Sequence, residues 1–211
     1  DGYIVYEHFE GMEGKKLLGC WAHARRKFFE AKAENEKLAL EALSYIRRLY
    51  DVEAEADALD AADNKPDHER RKALRQEKAY PEIKKFETWM EASILKCPPK
   101  SLMEAAISYT YKILKKLSLY VTDGRYKIDD NMVENSIRPL AIGRKNYLFC
   151  GDDDAAQRAA VVYSLLATCK AHGVNERAWL EDVLRRIPEY EQAGKDYADL
   201  LPANWRALSA K

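Results

Sequence analysis

Apolar residues recurring every three or four positions constrain this chain more than any other feature of its sequence. Leu38, Leu43, Ile46, Leu49 and Tyr50 share one helical face, and so do Ile83, Phe86, Trp89, Met90 and Ile94. Proline supplies the breaks. Asn64-Lys65-Pro66 sits in a loop over residues 60–67. Cys97-Pro98-Pro99 ends the second long helix, because proline has no backbone N–H to donate. A third helix is predicted over about 101–120, with Ser101 as N-cap and Glu104 three residues on. Further along, a buried helix over 154–172 closes at Gly173. Another, over 176–187, turns Trp179, Leu180, Val183 and Leu184 inward and stops at Pro188. Extended structure is expected mainly near the start: residues 1–6 are β-rich, 16–20 read as one short strand, and 125–128 as a brief extended segment. The chain is therefore mainly α, with a small β component.

A length of 211 residues suits one large domain or two small ones. No apolar run approaches the roughly 20 residues that span a bilayer, and no signal peptide opens the sequence. The start at Asp1, without Met, fits an excised fragment or a trimmed N-terminus equally well. The 35 basic and 35 acidic residues cancel, which argues against a dedicated basic nucleic-acid module. Local patches, however, are what touch phosphates. Four separated cysteines with no Cys-x-x-Cys pair fit a reduced, cytosolic protein.

Chemistry concentrates in residues 129–151, where Asp129, Asp130 and Glu134 lie close to Lys127, Arg138, Arg144 and Lys145. Glu134 has two readings. With Asn131 as N-cap it closes a capping box and stands four residues before Arg138, a structural role; otherwise it is a functional carboxylate. Gly143-Arg144-Lys145-Asn146 is likewise either a phosphate-binding loop or a solvated one. Cys20-Trp21-Ala22-His23 has the spacing of half a zinc site, but no second Cys/His pair stands at ligand spacing, so the sequence argues against metal there. Trp21, Phe28 and Phe29 read as core, and His23 as a satisfied histidine or a polar substrate contact. Asp1, on its own, is a turn residue.

Three separated blocks resemble the insertion sequence 66 transposases. They are Asp1-Gly-Tyr-x-x-Tyr6, then Cys20-Trp-Ala-His-Ala-Arg-Arg-Lys-Phe28, then Ile128-Asp-x-Asn-x-x-Glu134-x-x-Ile-Arg-Pro-x-x-x-Gly-Arg-Lys-Asn146. The tail is similar too, through residues 160–173, Trp179-Leu-x-x-Val-Leu184 and Leu200-Leu-Pro-x-x-Trp205. The match is weakest over about 30–119. Asp129-Asp-Asn131 stands where the family usually has Asp-Asn-Asn, which makes Asp130 either an ordinary variant or a competing carboxylate.

The resemblance implies the C-terminal part of a ribonuclease H-like core with an Asp-Asp-Glu triad. Asp1 matches the second Asp and Glu134 the Glu, both as metal ligands; no residue of this chain matches the first Asp. Residues 1–21 would be a remnant of the core, 22–121 a helical insertion, 122–173 a core segment carrying the Glu helix, and 174–211 a C-terminal helical region. The implied activity is cleavage and joining of DNA at element ends and target, with the isolated fragment inactive. Mg²⁺ or Mn²⁺ is the implied cofactor, since such chemistry uses two hard cations about 3.5–4 Å apart and Mg²⁺ favours oxygen ligands. Arg138, Arg144, Lys145 and Asn146 are the implied DNA contacts, with His23 and Arg26 weaker ones. A homo-oligomeric active complex, accessory proteins of the same element and a cytoplasmic, nucleoid-associated location are implied as well. From a different class stands a helical DNA- or protein-binding module with no chemistry of its own, which suits the zero net charge.

Overall fold

The computed structural model describes the backbone of residues 4–146 and 149–209 and the side chains of residues 6–146 and 149–205. The described residues are predominantly helical and form no strand. The chain divides into two compact units, Asp1–Met132 and Val133–Lys211.

In the first unit, α1 (Trp21–Glu30), α2 (Glu36–Ala62), α3 (His68–Leu74), α4 (Tyr80–Ile94), α5 (Leu102–Lys112) and α6 (Leu114–Ser118) surround one apolar core. A π-helical turn, Arg75–Ala79, joins α3 to α4. The starts are chemically capped. Asn35 accepts from Leu38 N, Asp67 from Arg70 N, and Ser101 Oγ from Glu104 N at 3.1 Å, satisfying amides that a helix leaves unpaired. The predicted apolar stripes meet as expected: Ile46 and Leu49 of α2 and Ile83, Phe86 and Met90 of α4 are all buried with Trp21 and Phe28 of α1. Phe86 stacks on Trp89 and on Tyr45, with ring centroids 5.6 and 5.3 Å apart. The buried indole of Trp21 donates to the Leu117 carbonyl at 3.0 Å, so the largest core side chain leaves no polar atom unsatisfied.

A polar assembly is buried beside this core. Arg75 is fully buried; it donates to both oxygens of Glu53 at 2.7 and 2.6 Å and to the carbonyls of Tyr120, Asp123 and Tyr126. Arg71 bonds the same Glu53 and also Asp57 and Asp60. Hydrogen bonds from Arg71 and Arg70 hold the Asp60 carboxyl well below the usual carboxylate range. Gly124 completes the arrangement. A Cβ there would lie 1.9 Å from the His68 carbonyl oxygen, so only glycine lets the loop after α6 press against the start of α3.

The second unit takes in most of α7 (Asn131–Gly143), together with α8 (Asp153–Ala171), α9 (Glu176–Ala193) and α10 (Pro202–Ser209). Its smaller core joins Cys169, Val174, Trp179, Val183, Tyr190 and Leu200. Trp179 Nε1 donates to the Leu200 carbonyl at 2.9 Å, and Trp205 Nε1 to Asp182 at 2.7 Å.

Several expectations need correction. Residues 16–20 form no strand: among the described residues this stretch has no sheet partner, and Gly19 N bonds Lys116 O of α6 instead. Within residues 1–6, the part described from Ile4 is 3₁₀-helical, and 125–128 makes no strand either. The helix predicted over 101–120 is broken at Ile113, after which α6 takes a new course that buries both Leu114 and Leu117. In the second unit α8 is not buried on several sides. Only Cys169 is enclosed, while Val161 and Val162 are more than half exposed, because α9 and α10 cover just one of its faces. Helix α9 runs through Pro188 to Ala193, and Leu180 and Leu184 face outward. Buried Tyr190 anchors the turn beyond the proline, and Gly194, at φ 59°, ends the helix.

Removing Glu53 leaves the fully buried Arg75 guanidinium without its carboxylate, while Arg71 keeps Asp57 and Asp60. Glu53→Ala is expected to destabilise the first unit by about 3–5 kcal/mol. Breaking the exposed Lys84–Glu87 pair should cost far less, because solvent screens such a pair. Urea denaturation of both variants checks the contrast, and equal losses would contradict the role given to the buried assembly.

Candidate nucleic-acid and metal site

The segment ahead of α7 is fastened to the first unit by four kinds of contact. Its backbone is held by Trp21 N, which bonds Ile128 O at 3.1 Å, and Ile128 itself is buried. Tyr50 OH, from α2, donates to Asp129 Oδ2 at 2.8 Å. Asn131 turns back on the same carboxylate through its Nδ2 at 2.9 Å and its backbone N at 3.3 Å. Cys20 Sγ donates to Asp130 Oδ1 at 2.8 Å, and His23 Nδ1 stands 3.8 Å from that oxygen.

These contacts set the protonation of the donors. Burial, then the hydrogen bond to Asp129, pushes the Tyr50 phenol well above its ordinary range, so it remains a donor at neutral pH. Burial, then the hydrogen bond to Asp130, likewise raises the Cys20 thiol. Asn131 thus appears in a different role from the N-cap of a capping box: it is the first residue of α7, and its amide serves Asp129.

Beside this clasp opens a cleft of about 720 Å³, lined by Ala22 and Arg25 of α1, Leu43, Arg47 and Tyr50 of α2, and Asn131. Two guanidinium groups at one opening suit an anion. Arg25 lines it, whereas Arg26 is exposed elsewhere on α1. Arg25 and Arg47 carry no site signal in the sequence, where Tyr50 reads only as part of the α2 apolar face. Arg47 and Tyr50 are one turn apart at the edge of the α2 apolar stripe, a polar flank that periodicity alone leaves unremarked.

In the second unit, Glu134 lies in the first turn of α7, where the positive end of the helix dipole favours a carboxylate. No residue of α7 is buried. Glu134, Asn135, Ile137, Arg138 and Ala141 line a shallow depression of about 400 Å³. Arg144, Lys145 and Asn146 follow in an exposed turn, their amides bonded to the carbonyls of Leu140, Ile142 and Gly143. The described site residues therefore fall into two sets: His23 with Cys20 and Asp130 in the first unit, and Glu134 through Asn146 in the second. Asp1 lies outside the described residues.

Comparison with known proteins agrees along almost the whole chain. The family described as "Transposase IS66 family" matches residues 1–158, and "IS66 C-terminal element" matches residues 164–203. The uncharacterized protein y4qI of Sinorhizobium fredii is 36% identical over 98% of this chain and 38% of its own length. From the same organism, y4hP is 33% identical over 90% of this chain and 35% of its own, and y4jD is 32% identical over 98% and 40%. The chain thus spans well under half the length of these relatives. No solved structure matches it.

Tyr50→Phe removes the hydroxyl that holds Asp129. The expected loss is about 1.5–3 kcal/mol, the range for a hydrogen bond to a charged group, read as a lower urea midpoint. An unchanged midpoint would contradict the clasp.

Proposed function

Since the chain belongs to the IS66 family of transposases, we propose that it is part of the core of a DNA transposase that cleaves donor DNA at the ends of an insertion sequence and joins those ends to target DNA. The observation behind this is the placement of Glu134. It is exposed in the first turn of α7, one turn before Arg138 and ahead of the basic turn Arg144-Lys145-Asn146. A carboxylate followed by a row of cations on open surface suits a phosphodiester backbone, whose charge the cations offset while the carboxylate serves the reacting phosphate.

On this proposal the fold is the C-terminal part of a ribonuclease H-like core, with residues 22–121 as its helical insertion. Glu134 supplies the third carboxylate of the triad and Asp1 the second. The first falls on no residue of this chain, so the 211 residues alone are inactive. Glu134 offers the hard oxygen donor that Mg²⁺ or Mn²⁺ prefers. Of its neighbours in sequence, Asp129 is held by Tyr50 and Asp130 meets Cys20. Bound divalent ions in such a centre supply activation of the attacking oxygen and stabilisation of the leaving one. Arg138, Arg144, Lys145 and Asn146 hold the DNA backbone, and the exposed basic turn does so without regard to base sequence.

Two variants of the complete protein test this. Each phosphate contact contributes about −0.9 to the slope of log K against log salt on duplex DNA. Arg144→Ala with Lys145→Ala is therefore expected to flatten that slope by about 1.8 and to weaken binding to all sequences alike. Glu134→Gln is expected to abolish cleavage of element-end DNA while leaving binding intact or tighter. A parental salt slope would make the basic turn a solvated loop, and a Glu134→Gln protein that still cuts would reduce Glu134 to a structural residue.

A further inference from the structure

Cys20, His23 and Asp130 bring a sulfur, a nitrogen and an oxygen donor together from distant parts of the sequence, all within 4.8 Å of one another. We propose that they form a binding site for a zinc-like divalent transition metal, distinct from the hard-cation chemistry assigned to Glu134. The sequence argued against metal here because no second Cys/His pair exists. The fold supplies the third ligand as a carboxylate, 107 positions beyond His23.

Placement comes from bonds outside the donor set. Cys20 immediately precedes α1 and His23 sits in its first turn, so both face the same side of the helix start. Asp130 is delivered there by the Trp21–Ile128 backbone bond and by the Tyr50–Asp129 contact one residue earlier. The ligands are thus positioned before any ion arrives, which spares part of the ordering cost of binding.

Distances and chemistry agree with a four-coordinate ion. Bonds of about 2.3 Å to sulfur and about 2.0–2.2 Å to nitrogen and oxygen place tetrahedral ligands roughly 3.3–3.6 Å apart. His23 Nδ1 and Asp130 Oδ1 are 3.8 Å apart. The Cys20–Asp130 separation is shorter, at 2.8 Å, a direct hydrogen-bonding contact that must open when an ion takes the place of the thiol proton. Binding removes that proton to solvent, one per ion, and the carboxylate rotates outward by less than an ångström. A mixed sulfur, nitrogen and oxygen set favours Zn²⁺ or Co²⁺ over Mg²⁺. Cys20 is buried, as is the Nδ1 atom of His23, and Asp130 is a third exposed, so an ion would reach the group from the carboxylate side.

Titration of the metal-stripped 211-residue chain with Co²⁺ tests the site, because a thiolate bound to Co²⁺ gives a near-ultraviolet charge-transfer band. One Co²⁺ per chain with that band is expected, displaced by Zn²⁺ and not by excess Mg²⁺. Cys20→Ser should abolish the band. His23→Gln and Asp130→Asn should each weaken binding by at least about tenfold, the loss that even outer-sphere changes can bring. Far-ultraviolet circular dichroism confirms that each variant is folded; should Cys20→Ser unfold, Asp130→Asn, which keeps the thiol and a similar shape, carries the test. Glu134→Gln should leave Co²⁺ binding unchanged, which separates this site from the proposed catalytic one. Absence of the band in the folded parent chain overturns the proposal, and so does a band that survives in folded Cys20→Ser or an affinity unmoved by Asp130→Asn.

Discussion

Arg75 is the interaction on which the first unit depends. A guanidinium with no exposure to water is costly unless every donor is met and its charge is offset. Glu53 offsets the charge, and three carbonyls between Tyr120 and Tyr126 take remaining donors. That set of bonds fixes the path of the loop after α6. Beyond that loop, the chain must reach Ile128 at the correct point for Trp21 to pair with it. The order of dependence therefore runs from a buried ion pair, through the 3₁₀ turn Leu119–Thr122 and the irregular loop after it, to the carboxylates at the start of α7.

Three carboxylates within six positions take different roles because their surroundings differ. Asp129 is bonded by a phenol and an amide, a holding role. Asp130 meets a thiol and an imidazole, both softer partners. Glu134 is on open surface near a helix N-terminus, with cations following it along the chain. Spacing alone could not sort them, since each is an acid near a helix start.

Helices were legible where one face meets a core, as with Ile46 and Leu49 or Phe86 and Met90, and where a cap is local, as at Ser101. Features that depend on distant partners were not. Leu17 and Leu18 look like strand residues, yet among the described residues no neighbouring strand exists to pair with them. Pro188 looks like a stop, but the loss of one helical donor is outweighed by burial of Tyr190 two residues later. At the site, Glu134 and the basic turn stood out as a local cluster. The Cys20–His23–Asp130 grouping could not, because half of a pattern is visible in sequence and the remaining ligand is brought in by the fold.

The two hydrophobic cores have a practical consequence for how this molecule melts. Each core holds two of the four tryptophans: Trp21 and Trp89 in one, Trp179 and Trp205 in the other. Intrinsic fluorescence therefore adds two optical reporters that need not change together, and a single fitted midpoint presumes a cooperativity that two cores do not guarantee. Chains retaining one pair of indoles would give each core its own spectroscopic voice, in which loss of order in one can be heard apart from the other.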